Sequence, residues 1–231
     1  MITTVTFDCW DTLLVAPAAL IRTRRLHGLT DLFDGHDPRE IETALDAAVA
    51  AYGLAWHAGR QFGAADAAGL IATRLDAGRD RIGEISDILI QANVVPHPAP
   101  HVGQVLKTLH DNGIRLGIIC DVALTPSPVL RSHLAAVDLL PAFDHWSFSD
   151  EVGWYKPDPR IFAHAHEGLG VSDPAVTAHI GDLTRTDVAG ALGVGATAIR
   201  YTGITDDQRE GPRAHHVIDD HRALPAILGL E

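Results

Sequence analysis

The sequence predicts an α/β protein, a doubly wound parallel sheet that carries an inserted all-helical domain. Three observations point to it. From about residue 100 onward, strand-like segments alternate with helical ones, the signature of βαβ units. Residues 15–94 show helical periodicity and no convincing strand. An isolated apolar strand at residues 2–7 precedes that block, so it has to join a sheet whose other strands come later.

That first strand contains Val5, Thr6 and Phe7 and delivers Asp8 to its carboxyl end, with Thr12 four residues on. In open parallel sheets, ligands and chemistry gather at that end. A carboxylate placed there can act as a nucleophile. Within the helical block, Asp37 caps a helix that Pro38 opens, a favoured first-turn arrangement. Ile41, Ala44, Leu45, Ala48, Ala51, Tyr52 and Ala55 then recur at helical spacing. A second helix covers residues 64–77, with Leu70, Ile71 and Leu75 on its apolar face, and a third runs from about 80 to 91. Pro96, Pro98 and Pro100 end the block, because closely spaced prolines cannot continue a helix. The division expected is therefore an α/β core of residues 1–14 and 95–231, and a helical cap of residues 15–94. Later strands are predicted at 115–120, 145–149, 176–180, 196–201 and 216–218. Helices are predicted at 102–112, 128–137, 159–169, 187–192 and 221–228.

Composition narrows the function. The 231 residues carry a net charge of −12, with 46% hydrophobic and 21% charged residues, ordinary values for a globular domain apart from the acidity. That charge argues against nucleic acid or an anionic membrane as a partner, though not against a small anionic ligand held by local donors. Two cysteines far apart in sequence form no disulfide framework or zinc ribbon. No run of about 18 apolar residues and no basic-then-apolar leader pattern is seen, so a cytoplasmic monomer or homodimer is expected.

Four segments carry chemistry: FDCWDTLL with Asp8, RLGIICD with Cys120 and Asp121, SDEVGWYKPDPRIF with Lys156, and HIGDLTRTDVAGA with Asp182 and Asp187. Each lies at or just after the carboxyl end of a predicted strand, so all four are expected to meet in one crevice. Asp8, Asp182 and Asp187 would repel one another there without a cation. Mg²⁺ suits such hard oxygen ligands, and Lys156 adds a second positive charge. The glycines of HIGD and DVAGA allow close backbone approach. A metal, a lysine, turn amides and a carboxylate nucleophile suit phosphoryl transfer, where catalysis is mainly positioning and charge stabilisation.

These segments, in this order, resemble the haloacid dehalogenase (HAD) superfamily over residues 2–221, the helical block matching its inserted cap. The resemblance implies a Rossmann-like core, with Asp8 as nucleophile. It implies Mg²⁺ bound by Asp8, the backbone carbonyl of Trp10 and Asp182, with Asp187 as ligand or one step removed. Lys156 would contact Asp8 and the transferring group, and Cys120 occupies the place of a phosphoryl-binding Ser or Thr. Trp10, Thr12 and Asp121 are expected with Cys120 beside a small phosphorylated substrate, and the cap is expected to close during the first step.

Two departures qualify the resemblance. Trp10 stands where the family's phosphatases carry a second aspartate, the general acid for the leaving group, and such assistance is worth about 10²- to 10⁴-fold. Poor leaving groups should suffer most. Asp11 is adjacent, but it reads as a turn residue. Cys120 offers a thiol, a weaker donor than a hydroxyl. Family members that hydrolyse carbon–halogen bonds also carry an aromatic residue at the Trp10 position. They use no metal, however, and lack the acidic pair kept here at Asp182 and Asp187. A non-catalytic binder of phosphorylated ligands is the other alternative, motivated by Trp10 and Cys120 and opposed by the retained Asp8, Lys156, Asp182 and Asp187. A phosphonate hydrolase would call for a cap lysine, and residues 15–94 contain none.

Plainer roles are expected elsewhere. Cys9 reads as a small buried apolar residue. Arg22, Arg24 and Arg25 read as a solvated helix face with acidic neighbours. His164, His166, His215 and His216 read as solvated. Asp187 can also cap the helix that follows it.

Overall fold

The computed structural model of the chain describes residues 1–230. It begins with β1 (Thr4–Phe7) and a two-residue strand, β2 (Leu14–Val15). Four helices follow: α1 (Ala18–Leu32), α2 (Pro38–His57), α3 (Ala64–Arg74) and α4 (Ile82–Gln91). After β3 (His97–Pro98), helix α5 (Val102–Asp111), β4 (Arg115–Cys120), α6 (Ser127–Ala136) and β5 (His145–Phe148) alternate. The short α7 (Ser149–Val152), α8 (Pro159–Gly168), β6 (Thr177–Gly181), α9 (Ala189–Gly193), β7 (Thr197–Tyr201), β8 (His216–Ile218) and α10 (Leu224–Leu228) complete the chain.

The main sheet has the order β5-β4-β1-β6-β7-β8, and every pairing in it is parallel. β1 is central: Phe7 lies opposite Ile118 on one side and Ile180 on the other. The chain moves outward from β1 through β4 to β5, then returns to fill the other side. The strand order thus reverses at β1, the kind of position at which open α/β sheets bind ligands. β1 is buried along its whole length, as expected when helices cover both faces of a parallel sheet.

The chain divides into two compact units. One contains residues 1–16, 96–121 and the chain from Arg131, and the other contains Pro17–Val95 and Val122–Leu130. In the first unit, the segments flanking the insertion pair as an antiparallel ribbon, Leu14 opposite Pro98 and Val15 opposite His97. The second unit is helical. Leu29, Ile41, Leu45, Ile71, Ile85 and Leu89 form its core, interleaved with Ala44, Ala48, Ala67, Ala68 and Ala72. The small alanines let α2 and α3 approach closely. Val122–Leu130 clusters with this unit, although the sequence assigns it to the α/β part. Leu124 belongs to the helical core, and Thr125 Oγ1 donates to Asn93 Oδ1 at 2.9 Å.

Candidate active site

All the sequence-predicted site residues lie in the α/β unit. Asp8 follows β1 directly, its amide donating to the Ile180 carbonyl of β6 at 2.8 Å. The chain then turns sharply: the amides of Leu13 and Leu14 both donate to the Cys9 carbonyl at 2.9 Å. Asp11 sits in this turn with φ 56°, a left-handed conformation in which aspartate is enriched among non-glycine residues. Its Oδ2 accepts from Thr205 Oγ1 at 3.0 Å. Asp11 is thus the turn residue the sequence suggests. Trp10 is half-buried and forms an isolated bridge with Leu14. Thr12 is fully buried, and its hydroxyl has no hydrogen-bond partner.

Lys156 gathers the acids. Its Nζ donates to Asp8 Oδ1 at 2.5 Å and to Asp187 Oδ1 at 2.6 Å, and its side chain is 2% exposed. Burial alone would lower the ammonium's pKa. Asp187, Asp8 and Asp121 outweigh it and hold the pKa well above its ordinary value. Asp121 Oδ1 accepts from the Lys156 amide at 3.1 Å, so this acid, expected beside the substrate, fixes the lysine's main chain.

Asp187 is held by four donors. Its Oδ1 accepts from Lys156 and from His179 Nε2 at 3.2 Å, while Oδ2 accepts from the Leu183 amide at 3.0 Å and Thr186 Oγ1 at 3.3 Å. Four donors occupy the two oxygens, about the full accepting capacity of a carboxylate. Burial would push this carboxyl up, but Lys156 and His179 prevail and hold it well below the usual range. Among the described residues no group of three or more His, Cys, Asp or Glu is gathered to hold an ion. Asp187 is turned toward Lys156 and His179.

Asp8 and Asp182 behave differently. Burial pushes the Asp8 carboxyl up to about 7, with Lys156 opposing and the charge of Asp187 adding to the rise. Burial, then the charges of Asp8 and Asp187, push Asp182 up to about 9. Cys120, at the end of β4, is fully buried against Cys9. Burial first, then the contact with Cys9, raise its thiol well above the ordinary value, so it stays a neutral, weak donor. Cys9 is buried as expected.

The glycines of the fourth segment have steric reasons. A Cβ on Gly181 would collide with Asp187 Cγ, and one on Gly190 would collide with Phe162 Cε2. His179 opens the HIGD segment, but nothing in that pattern gives it a role. A histidine inside a strand reads as filler, and its partner Asp187 lies beyond the following turn. His166 corrects a second expectation: it is buried on the inner face of α8 rather than solvated. His164 is exposed but bonded to Ser147 Oγ at 2.8 Å. Of the basic cluster, Arg22 and Arg24 are exposed as expected, whereas Arg25 is part-buried rather than solvated. Arg22 pairs with Glu42 at 2.9 Å and Asp46 at 2.8 Å, and Arg25 Nε donates to the Leu89 carbonyl at 3.2 Å. Among the described residues no helix is long and apolar enough to cross a membrane.

Residues 2–195 match the family model described as haloacid dehalogenase-like hydrolase. Haloacid dehalogenase-like hydrolase domain-containing protein 3 of Bos taurus is 36% identical over 135 residues, covering 54% of this chain and 50% of that protein. A glyceraldehyde 3-phosphate phosphatase of Methanothermobacter thermautotrophicus is 30% identical over 136 residues, covering 57% and 58%. The chain thus spans about half the length of the curated relatives it matches. The crystal structure of a HAD phosphatase from Thermococcus onnurineus superposes with a TM-score of 0.68 at 25% identity, covering 100% of this chain and 99% of that one.

Proposed function

Because the chain belongs to the haloacid dehalogenase-like hydrolases, we propose that it is a Mg²⁺-dependent phosphohydrolase that acts on a small phosphorylated metabolite through an aspartyl-phosphate at Asp8. The observation that carries this reading is the buried ammonium of Lys156 clamped between Asp8 and Asp187, with a further buried acid, Asp182, close by. The phosphatase among its relatives supports the substrate class.

The residues fit a hard divalent cation. Three buried carboxylates face one ammonium, and two of them, Asp8 and Asp182, are pushed toward protonation by burial and by neighbouring charge. A cation that takes hard oxygen ligands would let both ionise. Asp8, Asp182 and the Trp10 main-chain carbonyl would hold it, and Asp187 serves Lys156 instead. The metal would supply positive charge against the phosphoryl oxygens.

The chain's own groups account for the rest. The Asp8 carboxylate attacks phosphorus, and the bond to the leaving oxygen breaks with its electron pair departing on that oxygen. Lys156 offsets charge beside the reacting carboxylate, an effect strengthened by exclusion of water. Water then attacks the phosphoryl group and frees Asp8. Trp10 offers no proton to the leaving group, so acyl and aryl phosphates, whose oxyanions leave unaided, are the preferred chemistry.

The test is phosphate release from acetyl phosphate and p-nitrophenyl phosphate, with Mg²⁺ or with EDTA, and with Asp8→Asn. Release that needs Mg²⁺ and vanishes in the variant is expected. Trp10 favours one second reading, hydrolysis of 2-haloacids, since halide leaves without a proton. Asp182, buried beside Asp8, opposes it. Turnover of 2-chloropropionate without metal, and none of acetyl phosphate or p-nitrophenyl phosphate, would replace the first reading with the second.

A further inference from the structure

His179 occupies the centre of β6, opposite Thr6 of β1, and is 1% exposed. An imidazole in the middle of a buried parallel strand is costly unless its nitrogens are satisfied, and here both are. Nδ1 lies 2.9 Å from Thr6 Oγ1, and Nε2 lies 3.2 Å from Asp187 Oδ1. An ionised carboxylate only accepts, so Nε2 carries the proton. In a neutral ring Nδ1 then accepts from the Thr6 hydroxyl. Burial pushes the ring's pKa down despite Asp187, which keeps it a dipole rather than a second cation. Phe162 packs edge-on against the ring, with centroids 5.2 Å apart, and that leaves the imidazole little freedom to turn.

A continuous buried path results: Thr6 to His179, His179 to Asp187, Asp187 to Lys156, and Lys156 to Asp8. His179 and Lys156 share one oxygen, Asp187 Oδ1. With the imidazole in place, that oxygen is fixed in direction and divided between two donors. Without it, that oxygen answers to the ammonium alone, with the carboxylate still held through Oδ2 by Leu183 and Thr186.

We propose that His179 is a positioning residue. By holding Asp187 Oδ1 from the far side, it keeps the Lys156 ammonium poised at Asp8 rather than drawn onto Asp187. The consequence for catalysis rests on the phosphohydrolase reading, whereas the effect on Lys156 does not.

The experiment compares wild type with His179→Leu, His179→Gln and Thr6→Val. Glutamine can return an N–H near the Nε2 position, and Thr6→Val removes the hydroxyl that meets Nδ1 and, at 3.5 Å, the Ala178 carbonyl, leaving Asp187 untouched. Two readouts are taken. One is kcat and KM for acetyl phosphate with Mg²⁺. The other is the ¹H–¹⁵N signal of the buried ammonium, which is easily assigned because the chain has two lysines, Lys107 and Lys156, and Lys107 is 75% exposed. In His179→Leu, kcat is expected to fall about 10- to 100-fold, the range seen when a group behind a site residue is removed, with KM within about twofold, as for an interaction made in the transition state. His179→Gln should recover most of the loss, Thr6→Val should show a smaller one, and the Lys156 signal should shift in the same order. An unchanged Lys156 signal in every folded variant would overturn the proposal. So would equal losses in His179→Leu and His179→Gln that merely follow their melting temperatures. If wild type releases no phosphate but the Lys156 signal still shifts in that order, the positioning stands and the phosphohydrolase reading falls.

Discussion

Lys156 Nζ lies 2.6 Å from Asp187 Oδ1, and each side chain is 2% exposed. The pair belongs to a buried network in which Lys156 also meets Asp8 and Asp187 also accepts from His179, so no water is at hand to replace a lost partner. Removing one member strands the other as an uncompensated buried charge, which typically costs about 3–5 kcal/mol. Lys156→Met should therefore destabilise the protein by roughly that amount, and should also abolish phosphate release. Urea denaturation of wild type and variant checks the first outcome. A loss below about 1 kcal/mol would show that the acids find another cation or take up protons at little expense.

Trp10 makes a separate claim about chemistry. With no acid at this position, wild type should turn over acetyl phosphate far better than an alkyl phosphate such as glycerol 3-phosphate. Trp10→Asp should raise the alkyl rate by up to about 10²- to 10⁴-fold and leave the acetyl phosphate rate much less changed. Steady-state rates for both substrates on both proteins decide it. Equal effects on the two substrates would mean that the introduced carboxyl does not reach the leaving group.

Much of the fold is legible in the sequence. The strand at Arg115–Cys120 matches its expected bounds because, after Arg115, an uncharged buried run (residues 116–120) sits between two helices. The helix opened by Pro38 is equally plain from its cap and its repeat. α1 escapes the sequence pattern because just Ile21 and Leu29 of its fifteen residues are buried, too few to set up a period. β2 and β3 are two residues each, shorter than any alternation. At the site, motifs mark Asp8, Lys156 and Asp187, but not their division of labour. Which acid takes the ammonium depends on where the turn after Gly181 aims Asp187, and on His179, which the linear pattern gives no reason to single out.

Gly181 turns that geometry into a stability prediction. Its hydrogen faces Asp187, and a methyl there would collide with Asp187 Cγ. Gly181→Ala should cost about 1–3 kcal/mol, as overpacking of a tight interior usually does, and should reduce activity by displacing Asp187. Gly193, at the end of α9, is the contrast, because a methyl group added there would have nothing within 4 Å. Gly193→Ala should be neutral or stabilising by about 0.5–1 kcal/mol. Thermal melts of the two variants side by side separate the steric effect from the general preference for alanine over glycine.

His221 sets how the fold responds to acid. Its ring is completely buried, 4.1 Å from the Tyr201 ring centroid and 6.4 Å from that of Phe7. Burial pushes its pKa down from 6.5 to about 4, against smaller opposing effects of the Pro100 carbonyl and Asp220. The folded state therefore resists a proton that the unfolded chain accepts. The sign follows from linkage: stability is fully present above about 6.5 and is lost as pH falls toward 4, by about 3 kcal/mol over the interval. Urea midpoints for wild type should drop across this range more steeply than for His221→Phe, which keeps an aromatic ring against Tyr201 and Phe7 and has nothing to protonate. Parallel slopes for the two proteins would assign the acid sensitivity to other groups, since a ring that never takes up the proton on unfolding cannot contribute to it.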